Sequence, residues 1–166
     1  MVSDPIQSGS HFAQINMARA RAPLTDPLLV DFVAQLDEIN ALADRSPGFV
    51  WRLQTETGNA TDIEVGGDPR LIVNLSVWES PNALFDYVYK SEHLRVLSRR
   101  TEWFERLGTP SVALWWIPVK TLPAIEDGLA RLDHLARHGP TERAFTFKSR
   151  FPAPTGLADR VTAESQ

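Results

Sequence analysis

Leu71-Ile-Val-Asn-Leu-Ser-Val-Trp78, followed at once by Glu79-Ser80-Pro81, is the stretch on which the fold turns. Its residues alternate. Leu71, Val73, Leu75 and Val77 share one face, and Ile72, Asn74, Ser76 and Trp78 share the other, which is the period-two pattern of a strand. Ser80 then offers an N-cap and Pro81 a first helical residue, so the strand runs directly into a helix. Working back toward the N-terminus, residues 55–69 hold Gly58-Asn59 and Gly66-Gly67-Asp68-Pro69, a loop or ragged hairpin connection. Before them, Phe49 to Gln54 reads as a strand with Phe49, Trp51 and Leu53 on one face. Ser46-Pro47-Gly48 closes an amphipathic helix over 27–44, opened by Asp26-Pro27 and striped by Leu29, Phe32, Val33, Leu36, Ile39 and Ala43. Residues 11–18 alternate again, with Ala13, Ile15 and Met17 opposite Phe12, Gln14 and Asn16.

Toward the C-terminus, Leu84, Phe85 and Val88 carry a helical segment. Ser91 restarts it, and Leu94, Leu97, Phe104 and Leu107 carry the remainder, so a kinked helix is expected over 81–107. Gly108 to Pro110 ends it. Ser111 to Pro118 is almost wholly apolar, as a strand buried on both faces is; its neighbours Trp115 and Trp116 must point to opposite sides. Pro123 to His138 is a helix with Ile125, Leu129, Leu132 and Ala136 in one stripe, stopped by Gly139-Pro140. Ala144 to Lys148 reads as a short edge strand.

The order is β-α-β-β-α-β with an extra C-terminal helix, the ferredoxin-like arrangement of the α+β class. Helices on one side of such a sheet leave the other side bare, and apolar residues there need cover. Sheet-to-sheet pairing of two copies into a dimeric α/β barrel supplies it, so a homodimer is expected. One domain spans 11–150, with loosely ordered tails at 1–10 and 153–166.

Composition bounds the rest. The chain has 166 residues, 17 Lys plus Arg against 21 Asp plus Glu, and a formal net charge of −4. Without a basic excess, phosphate neutralisation has no source, so no nucleic-acid partner is expected. Cysteine is absent, which removes thiol nucleophiles, disulfides and Cys-ligated metals. Met1 to Ser10 has no apolar core of a signal peptide, and the longest apolar run, Val112 to Val119, is too short for a membrane span. A cytoplasmic protein with no membrane partner is expected.

Leu71 to Ser80, then Phe85, Tyr87, Tyr89, His93 and Arg99-Arg-Thr-Glu-Trp-Phe104, resembles the dimeric α+β barrel superfamily, which contains the antibiotic-biosynthesis monooxygenases. Ser46 to Arg52, Ala113 to Pro118 and His138 to Thr141 are more similar still to one member, the family of unknown function numbered 3291. The resemblance covers about residues 11–150. It implies a pocket between sheet and helices in each subunit and a small-molecule ligand. Quinone-forming monooxygenases of the superfamily use neither metal nor flavin, so it also implies no cofactor. Their pocket takes an Asn and a Trp from one strand and a Tyr and an Arg from the next helix. The matching positions are Asn74 and Trp78, with Tyr87 or Tyr89 and Arg99 or Arg100. Haem-degrading relatives use a first-strand Asn and a helix His, for which Asn16 and His93 stand here; their helix Trp is a Tyr in this chain.

Oxygenation without a cofactor needs a substrate that becomes an anion and gives an electron to oxygen, so the protein must take a proton and hold the anion. His93 is the expected base, since its ordinary pKa is near neutrality. Asn74, Trp78 and Arg99 are the expected anion-stabilising groups. Asn16, Ser76, Tyr87, Tyr89 and Trp103 are expected to bind substrate. Several have a plainer alternative. Asn74 and Ser76 can satisfy one another on a half-buried face, His93 can serve a capping turn, and Trp78 and Trp103 can be core. His134 and His138 have helical metal-ligand spacing but no third ligand in any motif, and cations suit a last helical turn, so no metal is expected. The expected function is a cofactor-independent monooxygenase-type enzyme for a small planar phenol. A non-catalytic small-molecule-binding barrel is the alternative, and haem binding or degradation a second.

Overall fold

The structure is a computed structural model that describes residues 9–61 and 63–154. Its elements in chain order are β1 (Ser10–Ala20), α1 (Val30–Asp44), β2 (Phe49–Arg52), β3 (Leu71–Trp78), α2 (Pro81–Lys90), α3 (His93–Ser98), α4 (Arg100–Trp103), β4 (Phe104–Glu105), β5 (Val112–Pro118) and α5 (Ile125–His138). The strands form one antiparallel sheet. β3 lies between β2 and β1, and the other edge of β1 takes β5 along Ser10–Asn16 and β4 at Arg19–Ala20. Leaving out the short β4, this is the ferredoxin-like order expected from the sequence. No helix among the described residues is long and apolar enough to cross a membrane.

The helix starts follow the expected chemistry. Asp26 Oδ1 accepts from the Leu28 N–H at 2.9 Å and Pro27 opens a 3-10 turn that leads into α1. Ser80 Oγ accepts from the Ala83 N–H at 3.2 Å, with Pro81 first in α2. Gly48 precedes β2 at φ +82, and a Cβ there would meet Ala83 Cβ at 2.5 Å, so only glycine lets this turn pass under α2.

Three local expectations change. The kinked helix over 81–107 is three helices, and its end is not helical: Phe104 and Glu105 are extended as β4. Extended backbone lets the Phe104 ring stand edge-on to Phe32, 4.9 Å between centroids, while Glu105 reaches Arg19 at 2.8 Å. The edge strand over 144–148 reduces to one reciprocal pair, Phe145 with Leu114, flanked by tight turns. Ser10, assigned to a loose tail, is the first residue of β1. The expected looseness of 1–8 and 155–166 lies outside the described residues.

The largest change concerns the bare face. Ala13, Ile15, Val73, Leu75, Val77, Ala113 and Trp115 cover that side of the sheet, and Leu132 and Leu135 of α5 pack on them. Val65, from the connection before β3, joins the same cluster. At Gly128 the helix comes so near that a Cβ would sit 2.6 Å from Ile15 Cδ1. Trp115 is therefore buried by its own chain, with Arg131 over its ring. The ground for expecting a second copy, an uncovered apolar sheet face, is removed by α5. Burying one large apolar side chain contributes roughly 1.5–3 kcal/mol, so this face is a principal part of the core.

Candidate functional site

The opposite face is built differently. The β1–β3 register sets Phe12 beside Trp78, Gln14 beside Ser76, Asn16 beside Asn74 and Ala18 beside Ile72. Side chains two apart share a face, so the middle of this face is a two-by-two block of polar residues between apolar ends. One end is sealed by Phe12, Trp78, Leu84 and Ala43, the other by Ala20, Leu29, Phe32, Ile72 and Trp103. α1 bridges the gap. Its Phe32 and Ala43 are buried at either end, whereas Leu36, Ile39 and Asn40 between them line a void. The void is a cavity of about 500 Å³, floored by the polar block and roofed by α1, α2 and α3. That volume is within the usual range for small-molecule sites.

His93 enters this cavity from the start of α3. Ser91, in the break after α2, fixes the approach: its hydroxyl donates to the Tyr87 carbonyl and accepts from the His93 N–H at 3.1 Å. The ring's Nδ1 lies 3.2 Å from the Val88 carbonyl oxygen. A carbonyl only accepts, so Nδ1 carries the proton, and neutral His93 presents an unprotonated Nε2. Nε2 has no protein partner among the described residues. Burial pushes the His93 pKa below its ordinary value, while the Val88 contact opposes this. The imidazole is thus held neutral, in one tautomer, at the wall of an open cavity.

Trp78 sits differently from the expected anion donor. Its Nε1–H is already committed to Ser76 Oγ at 2.9 Å. Its ring stacks on Tyr87 at 5.1 Å and meets Phe49 edge-on at 5.4 Å. Trp78 forms the wall rather than a free donor. Tyr87 belongs to the same wall: its hydroxyl donates to the Ile39 carbonyl at 3.2 Å, and burial pushes its phenol well above the ordinary tyrosine value. Tyr89 stands at the cavity margin, exposed and packed on Phe85 and Phe147.

Asn74, Asn16 and Ser76 lie on the cavity floor, as the alternation of the strands requires. Ser76 satisfies Trp78 and Gln14, not Asn74, with Gln14 Nε2 donating to Ser76 Oγ at 3.1 Å. Asn74 is exposed to the cavity.

Arg99 and Trp103 fall outside the cavity lining. Arg99 binds Glu102 at 2.8 Å and Asp31 at 3.1 Å and covers the Trp103 ring at 4.7 Å. Those two carboxylates draw it to the outer surface between α1 and α4, and they hold its guanidinium more basic than usual. Trp103 is a core residue, 1% exposed. The His134 and His138 rings lie tilted against each other toward the C-terminal end of α5, 4.7 Å between centroids, and His134 Nε2 bonds Thr141 Oγ1 at 2.7 Å.

Polar cavity residues that went unnoticed in the sequence include Gln14, Arg52 and Lys148. Gln14 is a polar residue on the face that carries Phe12 and Asn16, but only strand pairing sets it beside Ser76. Arg52 occupies the last position of a short strand. It is committed to Asp44 at 2.7 Å and to the Gly58 carbonyl at 2.7 Å, so it braces the cavity wall.

Residues 11–161 match the sequence profile of DUF3291, a domain of unknown function. A comparison with curated protein sequences finds no match. Among solved structures, SnoaB, a cofactor-independent oxygenase from Streptomyces nogalater, is 15% identical, covers 69% of this chain and 99% of its own, and gives a TM-score of 0.46. A protein of unknown function from Nitrosomonas europaea is 13% identical over 69% of this chain and 96% of its own, TM-score 0.44. A candidate antibiotic biosynthesis monooxygenase from Chloroflexus aurantiacus is 18% identical over 69% and 93%, TM-score 0.42. At these scores the likeness is one of broad element order, and the chemistry rests on this chain's own side chains.

Proposed function

This chain belongs to the DUF3291 family, a family without an assigned activity, and from that premise we propose that its cavity takes a small planar phenol and that His93 is the base that accepts its hydroxyl proton. The observation that carries this reading is the pinned tautomer. Nδ1–H faces the Val88 carbonyl, and Nε2 is left with its lone pair in a cavity that has apolar walls and a polar floor. A flat aromatic body suits the space between Leu36, Ile39 and the sheet, and a phenolic O–H suits Nε2. The carboxamides of Asn16 and Asn74 are the floor groups available to the developing aryloxide. The walls come from one chain, so the reading does not depend on the self-association expected from the sequence.

In the catalytic form of this reading, the phenol loses its proton to Nε2 and the electron-rich ring reduces dioxygen. For 1-naphthol the balance is one naphthol plus one O₂ giving 1,4-naphthoquinone plus water. One oxygen atom enters the ring carbon para to the hydroxyl, and the other leaves as water with two substrate hydrogens. Neither metal nor flavin enters this balance. Oxygen uptake with 1-naphthol and tricyclic phenols tests it. The expected result is uptake above the protein-free rate that falls at least a hundredfold in His93→Ala, the lower end of what a general base contributes.

One observation favours binding without turnover. Among the described residues no buried, uncommitted cation faces the cavity: Arg99 lies outside it, Arg52 is committed to Asp44 and Gly58, and Lys148 lines it only as an exposed residue. Saturable binding of the phenols with no oxygen uptake selects this second reading.

A further inference from the structure

The polar floor holds a hydroxyl whose role is fixed by its neighbours. Ser76 is 9% exposed and lines the cavity. Its Oγ accepts from Trp78 Nε1 at 2.9 Å and from Gln14 Nε2 at 3.1 Å. A serine hydroxyl has two lone pairs and one proton. Both lone pairs are used here by N–H groups, and an indole N–H can only donate, so only the proton is left. It has no acceptor among the described residues. The hydroxyl is therefore a compulsory donor, in the same cavity where His93 Nε2 is a compulsory acceptor.

We propose that Ser76 is a specificity-determining donor: it selects ligands that carry a carbonyl or quinone oxygen in addition to the hydroxyl received by His93. The inference rests on the phenol-binding reading above and narrows it to planar hydroxy-ketones and hydroxy-quinones. Gln14 and Trp78 are positioning residues that act through Ser76 by filling its lone pairs. A site with a fixed donor rejects a ligand that brings no acceptor, because the donor is then desolvated without a partner. A lone phenol satisfies His93 alone, a simple quinone Ser76 alone, and a hydroxy-quinone both.

Three probes separate these contributions: 1-naphthol, 1,4-naphthoquinone and 5-hydroxy-1,4-naphthoquinone, titrated under argon by tryptophan fluorescence and calorimetry. The chain has no cysteine, so thiol addition to the quinones does not interfere. The unaltered protein is expected to bind the hydroxy-quinone most tightly. Ser76→Ala should weaken both quinones about tenfold, the loss of roughly one neutral hydrogen bond, and leave 1-naphthol within about twofold. Ser76→Thr, which keeps the hydroxyl, should restore the preference. Gln14→Glu at pH 8 should behave like Ser76→Ala, since a carboxylate accepts the Ser76 proton and turns it away from the ligand. That change in probe preference is one that a merely structural role of Gln14 would not produce. If Ser76→Ala does not fold, Ser76→Thr and Gln14→Glu still decide the matter. Equal weakening of all three probes in Gln14→Glu, or none, overturns the proposal. Binding of 1-naphthol that disappears in His93→Ala, with quinone preference unmoved by the Ser76 and Gln14 variants, removes Ser76 and leaves the phenol reading intact. No binding of any probe to the unaltered protein removes both.

Discussion

Gly128 on α5 offers a sharp test of how the second sheet face is covered. A Cβ at this position would lie 2.6 Å from Ile15 Cδ1 and 3.2 Å from Ile15 Cβ, and Ile15 is fully buried. Gly128→Ala therefore has two opposed effects. Removing a helical glycine should stabilise α5 by about 1 kcal/mol. Forcing a methyl into a packed contact should cost about 1–3 kcal/mol. The expected net is destabilisation of up to about 2 kcal/mol, a Tm loss of roughly 2–4 °C for each kcal/mol in a chain of this size. Ile15→Val deletes the nearest atom and alone should cost about 0.5–1.5 kcal/mol. Combined with Gly128→Ala it should cost less than the sum by about 1 kcal/mol, since each change relieves the other. Urea denaturation of the four proteins measures the cycle. A Gly128→Ala protein that gains the full helix-propensity increment, with no coupling to Ile15→Val, would refute the seating of α5 on β1 and return that face to a partner.

Other consequences are testable on the same protein. Trp78→Phe keeps the stack on Tyr87 but deletes the N–H bonded to Ser76; it should lose about 1 kcal/mol for the hydrogen bond and somewhat more for the vacated ring space, read by denaturation. The His93 pKa is depressed in the folded protein, so unfolding takes up a proton below pH 6.5. Its contribution to stability is complete above that pH and is lost as pH falls through the folded value. His93→Gln should accordingly flatten the stability profile on the acid side, and any turnover should keep its acid limb below pH 6.5. Arg99→Gln should leave binding of 1-naphthol unchanged within about twofold, because its guanidinium is engaged with Asp31 and Glu102; a tenfold loss would place Arg99 back in the site.

The strand and helix order was legible because each boundary has its own local chemistry. Asp26-Pro27, Ser80-Pro81 and Gly139 act on their own neighbours, and alternation over 71–78 needs no partner to be seen. What was not legible depends on pairing. Nothing local tells Phe104 to leave a helical pattern; the Phe32 ring and Arg19 do, and both are distant in sequence. The apolar stripe of α5 was visible, but which face it would cover was not, and the dimer argument followed from that gap. The site divides in the same way. His93, Asn74, Asn16, Ser76, Tyr87 and Tyr89 reach the cavity because strand alternation and the Ser91 break direct them there. Trp78 lines it too, but its N–H is consumed by Ser76. Arg99 was assigned on helix position alone and was captured by carboxylates that the sequence does not show to be near. Gln14 became meaningful only once the register set it beside Ser76.

The central claim is that His93 is a neutral, Nδ1-protonated base facing the ligand cavity. A long-range ¹H–¹⁵N spectrum of the imidazole side chains at pH 7, recorded with and without 1-naphthol and assigned with His93→Gln, tests it directly. The account predicts a neutral ring with the proton on Nδ1, and an Nε2 resonance that moves when 1-naphthol is added. A charged ring, a proton on Nε2, or an Nε2 resonance indifferent to bound 1-naphthol would contradict it.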